Sequence, residues 1–237
     1  MSFLLKTGLS VLLHGLAAAA GSASPCGIDL TARGLPACAQ QCPEWCWATV
    51  VGEVKEYYRA VAPGPDLHQK LGATPACRRS ECRIVSDVRK QACCKDSTEC
   101  AASGTTTPGC GNPSSPEEIM LAFQHEIPSL QWVHLHGKPG YSCKPGDGCW
   151  PAESTLQRLL MSGTPVARAT HGHITTIAGC RQGPSNATEY RILDSLKNPD
   201  VALWMNWTIL TLGPPPGQGD GPWQDTYFAN GTSAVLL

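Results

Sequence analysis

Pro43-Glu44-Trp45-Cys46-Trp47-Ala48-Thr49-Val50-Val51-Gly52-Glu53-Val54-Lys55-Glu56-Tyr57-Tyr58 is the stretch on which the reading of this chain turns. Its apolar positions Trp47, Val50, Val51, Val54, Tyr57 and Tyr58 fall at offsets 0, 3, 4, 7, 10 and 11, the stripe of an amphipathic helix. Pro43 and Glu44 stand just before the stripe, as helix starts favour. Cys46 is therefore predicted in the first turn of a helix. There the free backbone N–H groups and the positive end of the helix dipole favour the thiolate, which is the nucleophilic form.

Working outward, Ser115-Pro116-Glu117-Glu118 is a capping box with proline at the first helical position, and it predicts a helix to about His125. A short helix over Ala152–Met161 should end at Gly163. Beyond Gly163 the pattern turns to strands: Pro165–Ala169, His173–Gly179, Tyr190–Asp194, Ala202–Leu212 and the tail Trp223–Ala229. Residues 62–114 are rich in Pro, Gly, Ser, Thr and Cys and read as an irregular, cross-linked region. Helices first and strands second is an α+β order rather than an alternating βαβ one.

The chain has 237 residues, 42% hydrophobic and 16% charged, which excludes a disordered class. A net charge of −1 gives no reason to expect nucleic acid or an anionic membrane as a partner. Residues 1–23 read as a secretory signal: Lys6, an apolar run from Gly8 to Ala20, then small residues at Gly21-Ser22-Ala23. Residues 24–237 would form a single domain. No other apolar run approaches the ~18 residues of a membrane span, so stable membrane association is not expected. Nothing in the sequence fixes an oligomeric state.

An exported chain with 13 Cys should hold most of them in disulfides, and the odd count leaves one over. Cys143 and Cys149 flank Lys-Pro-Gly-Asp-Gly, a turn that can bring them within bonding reach. Cys93 and Cys94 are adjacent and should take different partners. No cofactor is called for. His134-x-His136 and His171-x-His173 could each present two imidazoles on one strand face, but neither has a third ligand at metal-site spacing, so no metal is expected.

A cysteine nucleophile needs a base and an orienter. His173 follows Gly172 at the mouth of a strand, and Asp194 ends the next one. Each has a plainer reading: Cys46 as one half-cystine among many, and Asp194 as an ordinary strand-to-turn aspartate.

Gln40-Gln41-Cys42-Pro43-Glu44-Trp45-Cys46-Trp47-Ala48 resembles the active-site helix start of the papain-like cysteine peptidases, most closely the compact secreted bacterial branch related to effector-type proteases. Gly172-His173-Ile174-Thr175-Thr176-Ile177-Ala178-Gly179 is similar to that family's histidine strand, and Tyr190-Arg191-Ile192-Leu193-Asp194-Ser195 to the strand carrying its third residue. His173 lies 127 residues and Asp194 148 residues after Cys46, near the family's spacing of ~130–150.

The resemblance implies a papain-like fold. A helical half over about 24–162, carrying the insert 62–114, would be followed by an antiparallel β half over 163–237, with the active site in the cleft between. It implies Cys46 as nucleophile, His173 as base and acid, Asp194 as orienter, and Gln40 as oxyanion donor with Gln41 as the alternate. Cys42 would tie the helix to the insert through Cys93 or Cys94. With Cys46 kept free as catalytic thiol, the other twelve cysteines could form six bridges. Leu196 stands where papain has a tryptophan over the His–Asn pair, so the Asp194 contact should be more exposed. The implied activity is hydrolysis of a protein or peptide substrate. The alternatives are transfer to an amine or hydrolysis of a non-peptide amide by the same triad, and a catalytically silent, disulfide-stapled binding module.

Overall fold

A computed structural model describes residues 26–40, 42, 44–61, 77–94, 110, 114–136, 149–197, 201–213 and 222–230. Signal residues 1–23, Gln41 and Cys143 lie outside the described residues. In chain order the elements are β1 (Ile28–Asp29), α1 (Cys46–Val61), α2 (Cys77–Arg89), α3 (Pro116–Glu126), β2 (Gln131–His136), α4 (Glu153–Met161), β3 (Val166–Thr170), β4 (His173–Gln182), β5 (Thr188–Leu193), β6 (Leu203–Asn206), α5 (Trp207–Leu212) and β7 (Asp225–Asn230). The class is α+β, with an antiparallel seven-stranded sheet.

The sheet runs β2-β7-β3-β4-β5-β6, and β1 pairs with β4. Helix α1 packs on β4, α2 and α3. Its inward stripe of Trp47, Val50, Val51, Val54 and Tyr57 is essentially fully buried, as its periodicity requires. Trp45 caps the approach to this helix, with its indole N–H donating to the Cys110 carbonyl at 2.8 Å. Ser115 caps α3 as predicted: its hydroxyl takes the Glu118 N–H, and the Glu118 side chain takes the Ser115 N–H.

Two positions in the sheet favour glycine. Gly172 closes the two-residue hairpin between β3 and β4 at φ +77°, which pairs Thr170 with His173 and fixes the first residue of β4. At Gly179 the β1 backbone crosses so closely that a Cβ would lie 2.3 Å from the Ile28 carbonyl oxygen. The β4–β5 register shifts at this point. Cys26–Cys180 bonds β1's approach to the same strand.

The structure departs from the sequence reading in three places. Strands are not confined to residues after 163: β1 and β2 precede it, and α5 follows it, so the helices-then-strands order does not hold strictly. The predicted strand Ala202–Leu212 is instead β6 followed by α5, because the Asn206 side chain accepts from the Ile209 N–H and starts a helix there. The region 62–114, read as irregular, contains α2. Ile84 and Val85 are fully buried in it, and Glu81 lies beside them on the inward side.

Candidate active site

Cys46 is the first helical residue of α1, since the Thr49 N–H donates to the Trp45 carbonyl at 3.1 Å. Its own N–H and those of Trp47 and Ala48 therefore face the cleft end of the helix without intrahelical partners. Among the described residues Cys46 is the one free cysteine, and it is buried. Two residues earlier, Glu44 adopts φ +67°, a left-handed backbone unusual for a glutamate and held next to the thiol.

His173 reaches the same place from the sheet. The hairpin at Gly172 sets it at the start of β4, where its ring hydrogen-bonds Asp194 and interacts electrostatically with Cys46. The Nε2–Asp194 Oδ1 distance is 2.8 Å, which leaves Nδ1 for the sulfur. Asp194 follows directly on β5, the neighbouring strand. Its Oδ1 also accepts the Leu196 N–H at 3.0 Å, and Lys197 Nζ stands 3.3 Å from Oδ2. The pair was expected to be more exposed for want of a covering tryptophan. Leu196 is indeed 64% exposed, yet the side chains of His173 and Asp194 are only 7% and 4% exposed. The pair is thus buried without a cover at position 196.

Burial alone would pull the His173 pKa down. The hydrogen bond to the Asp194 carboxylate and the interaction with Cys46 outweigh it and push it up to about 10. Burial works in the opposite sense on Asp194, and the His173 contact, the Leu196 N–H and Lys197 hold its carboxyl at about 2. At neutral pH the arrangement is a charged imidazolium between a carboxylate and a sulfur.

Gln40 lies beside this triad by a different set of bonds. Its N–H donates to the Ser195 carbonyl at 3.0 Å, its Oε1 accepts the Ser195 hydroxyl at 2.9 Å, and its Nε2 donates to the Cys42 carbonyl at 3.1 Å. The loop before α1 is thereby tied to the turn that carries Asp194. One Nε2 hydrogen remains for another acceptor.

The disulfides correct one expectation. Cys93 and Cys94 do take different partners, but these are Cys110 and Cys82, so neither holds Cys42. Cys94 returns to α2 and Cys93 reaches the segment whose carbonyl receives Trp45, which staples the insert to itself and to the approach of α1. Cys42 and Cys149 are disulfide-bonded as expected. The proposed partner of Cys149, Cys143, lies outside the described residues.

One residue of the site's surroundings went unnoticed in the sequence. Glu53, two turns along α1 from Cys46, is 1% exposed, with its carboxyl oxygens on the Cys38 N–H (2.9 Å) and the Thr176 hydroxyl (2.7 Å). Burial, opposed by those two hydrogen bonds and assisted by the nearby charges of Glu81 and Asp194, raises its pKa to about 8. It is therefore neutral when Asp194 is charged. The signal was present: an acid flanked by Val50, Val54 and Tyr57 on the buried face of an amphipathic helix.

Cys46 and His173 open onto a cleft of about 380 Å³ that is also lined by Trp47, Ile119, Asp225 and Tyr227. Its walls are thus α1, α3 and the sheet. Among the described residues no helix is long and apolar enough to cross a membrane. Compared with protein-family models and with curated proteins, the chain matches none.

Proposed function

We propose that the protein is a papain-like cysteine peptidase that hydrolyses peptide bonds through Cys46, His173 and Asp194, and that it is secreted to the extracellular space or the periplasm. The observation that carries this reading is one conjunction: the free thiol among the described residues, at a helix N-terminus, interacts electrostatically with an imidazole whose Nε2 is held by a buried carboxylate.

In this mechanism the proton of Cys46 resides on His173, and the sulfur attacks the substrate carbonyl carbon. The carbonyl π pair moves to oxygen. That oxyanion is met by the Cys46 N–H at the start of α1 and by a side-chain amide, for which Gln40 is the choice and Gln41 the alternate. His173 then gives its proton to the leaving nitrogen as the C–N bond breaks, leaving a thioester on Cys46. Water, deprotonated by His173, cleaves the thioester and returns the sulfur. Asp194 holds the ring in place and compensates its charge in each charged step. The disulfides support export to an oxidising compartment, where such a thiol is preserved only if it has no cysteine neighbour to pair with.

The test is an epoxide-type thiol probe with adduct mapping, alongside cleavage of an unstructured protein substrate. Labelling confined to Cys46, lost in His173→Ala together with cleavage, is expected. Labelling of Cys46 that is indifferent to His173→Ala would remove the proposal.

A further inference from the structure

We propose that His134, His136 and Asp225, the last of which lines the cleft, form a binding site for one divalent transition-metal ion of the zinc class. The sequence offered only the His-x-His pair and no third ligand; the sheet supplies it. Strands β2 and β7 pair antiparallel with His136 opposite Asp225 and His134 opposite Tyr227. Residues two apart on a strand share a face, so both imidazoles and the carboxylate project to one side. His134 Nε2 is 3.1 Å from Asp225 Oδ1, and His136 Nδ1 contacts the same oxygen. All three ligand atoms lie within 4.8 Å of one another. Tetrahedral zinc, with bonds of ~2.0–2.1 Å, sets its ligand atoms roughly 3.4 Å apart. An ion therefore fits between these groups with side-chain adjustments alone.

The ligand set suits the ion. Two imidazoles and one carboxylate are the donors of sites that keep a position open, and a borderline ion prefers them to an all-oxygen cage. The set is also held in place. The Tyr227 ring stacks on His134 at 4.5 Å and 10°, and the Trp223 indole N–H binds the Asp225 carbonyl at 2.8 Å. The charges facing the cluster are favourable. Glu117, in the first turn of α3, interacts electrostatically with both imidazoles. A second group of similar composition, Asp87, His125 and Glu126, lacks this character, because Lys55 and Arg83 already occupy Glu126. His136 is 37% exposed and provides the way in. With the ion bound, each imidazole carries its proton on the ring nitrogen facing away from Asp225.

The experiment uses Co²⁺ as probe on the purified protein with Cys46 alkylated, so that the thiol cannot supply a ligand. One equivalent of Co²⁺ should give visible d–d absorption without a thiolate charge-transfer band, and Zn²⁺ should displace it. His136→Gln and Asp225→Asn should each weaken binding by more than about 100-fold, beyond the 10–100-fold typical of losing an outer-shell partner. His171→Ala, in the same cleft but outside the cluster, should leave it unchanged. Near-ultraviolet circular dichroism establishes that each variant is folded. Absence of stoichiometric binding in the alkylated protein overturns the proposal, as does binding retained in folded His136→Gln or Asp225→Asn.

Discussion

Glu53→Gln replaces a buried acid that must keep its proton with an amide that has none to lose. The amide oxygen can accept the Cys38 N–H and the amide nitrogen can donate to Thr176, whose hydroxyl turns to receive it, so both native contacts survive. In the folded protein Glu53 ionises at about 8 instead of the ordinary 4.5. A pKa raised on folding contributes stability that is fully present below the unfolded value and is lost as pH rises through the folded one. The wild type should therefore lose about 1 kcal/mol per pH unit from this group between pH 4.5 and 8 and nothing further above it. At pH 7 the accumulated loss is about 3 kcal/mol. The variant escapes it, so the gap between variant and wild type should widen by about 3 kcal/mol from pH 5 to pH 8. His173 titrates in both proteins and cancels in the difference. The assay is urea unfolding with disulfides intact, followed by circular dichroism at each pH. A gap that stays constant over that range would refute the assignment of a neutral Glu53 inside the fold.

Other consequences are equally direct. In Asp194→Ala the His173 ring should titrate well below its value of about 10 when followed by nitrogen NMR, and turnover should fall less than in His173→Ala, because an orienter is partly replaceable and a base is not. Gln40→Ala should lower turnover about 10²-fold with Cys46 labelling largely kept if its amide meets the oxyanion, and a parallel loss of labelling would assign Gln40 to holding the Ser195 turn instead. Ser195→Ala, which removes only the hydroxyl from that tie, should cost about 1 kcal/mol of stability in the same unfolding assay. Gly179→Ala drives a methyl group into the Ile28 carbonyl and should lower the melting temperature by roughly 5 °C, while an unchanged melting curve would mean that β1 is not seated there.

What could be read from the sequence was what local chemistry encodes. The apolar stripe gave α1 and the place of Cys46 in its first turn; the Ser115 box gave α3; the strand-forming runs after Gly163 gave β3 and β4. The triad was legible because each member sits at an element boundary, where cap, turn and strand-end preferences are strong. What escaped was non-local. Strand β2 carries no turn signature of its own and is defined by pairing with β7 about ninety residues later. The carboxylate beside His134 and His136 was hidden for the same reason, since it comes from across that pairing. Helix α2 was hidden by its charge: Arg78, Arg79, Glu81, Arg83, Asp87 and Arg89 swamp an apolar stripe whose buried turn includes an acid. Glu53 was visible as a polar interruption, but its neutrality follows only from burial by other segments.

The insertion of β7 between β2 and β3 has a consequence for synthesis. A ribosome delivers β2 long before its hydrogen-bonding partner exists, and β3 likewise waits with one edge open. The triad can assemble from α1, β4 and the Asp194 turn, yet the wall bearing Asp225 and Tyr227 arrives last. A nascent chain stopped short of Asp225 would hold its thiol and imidazole in an open trough, with two unpaired strand edges exposed to whatever lies nearby. The order of threading thus delays completion of the groove until nearly all of the described chain is present, placing the enclosed form of the cleft at the end of folding rather than at its beginning.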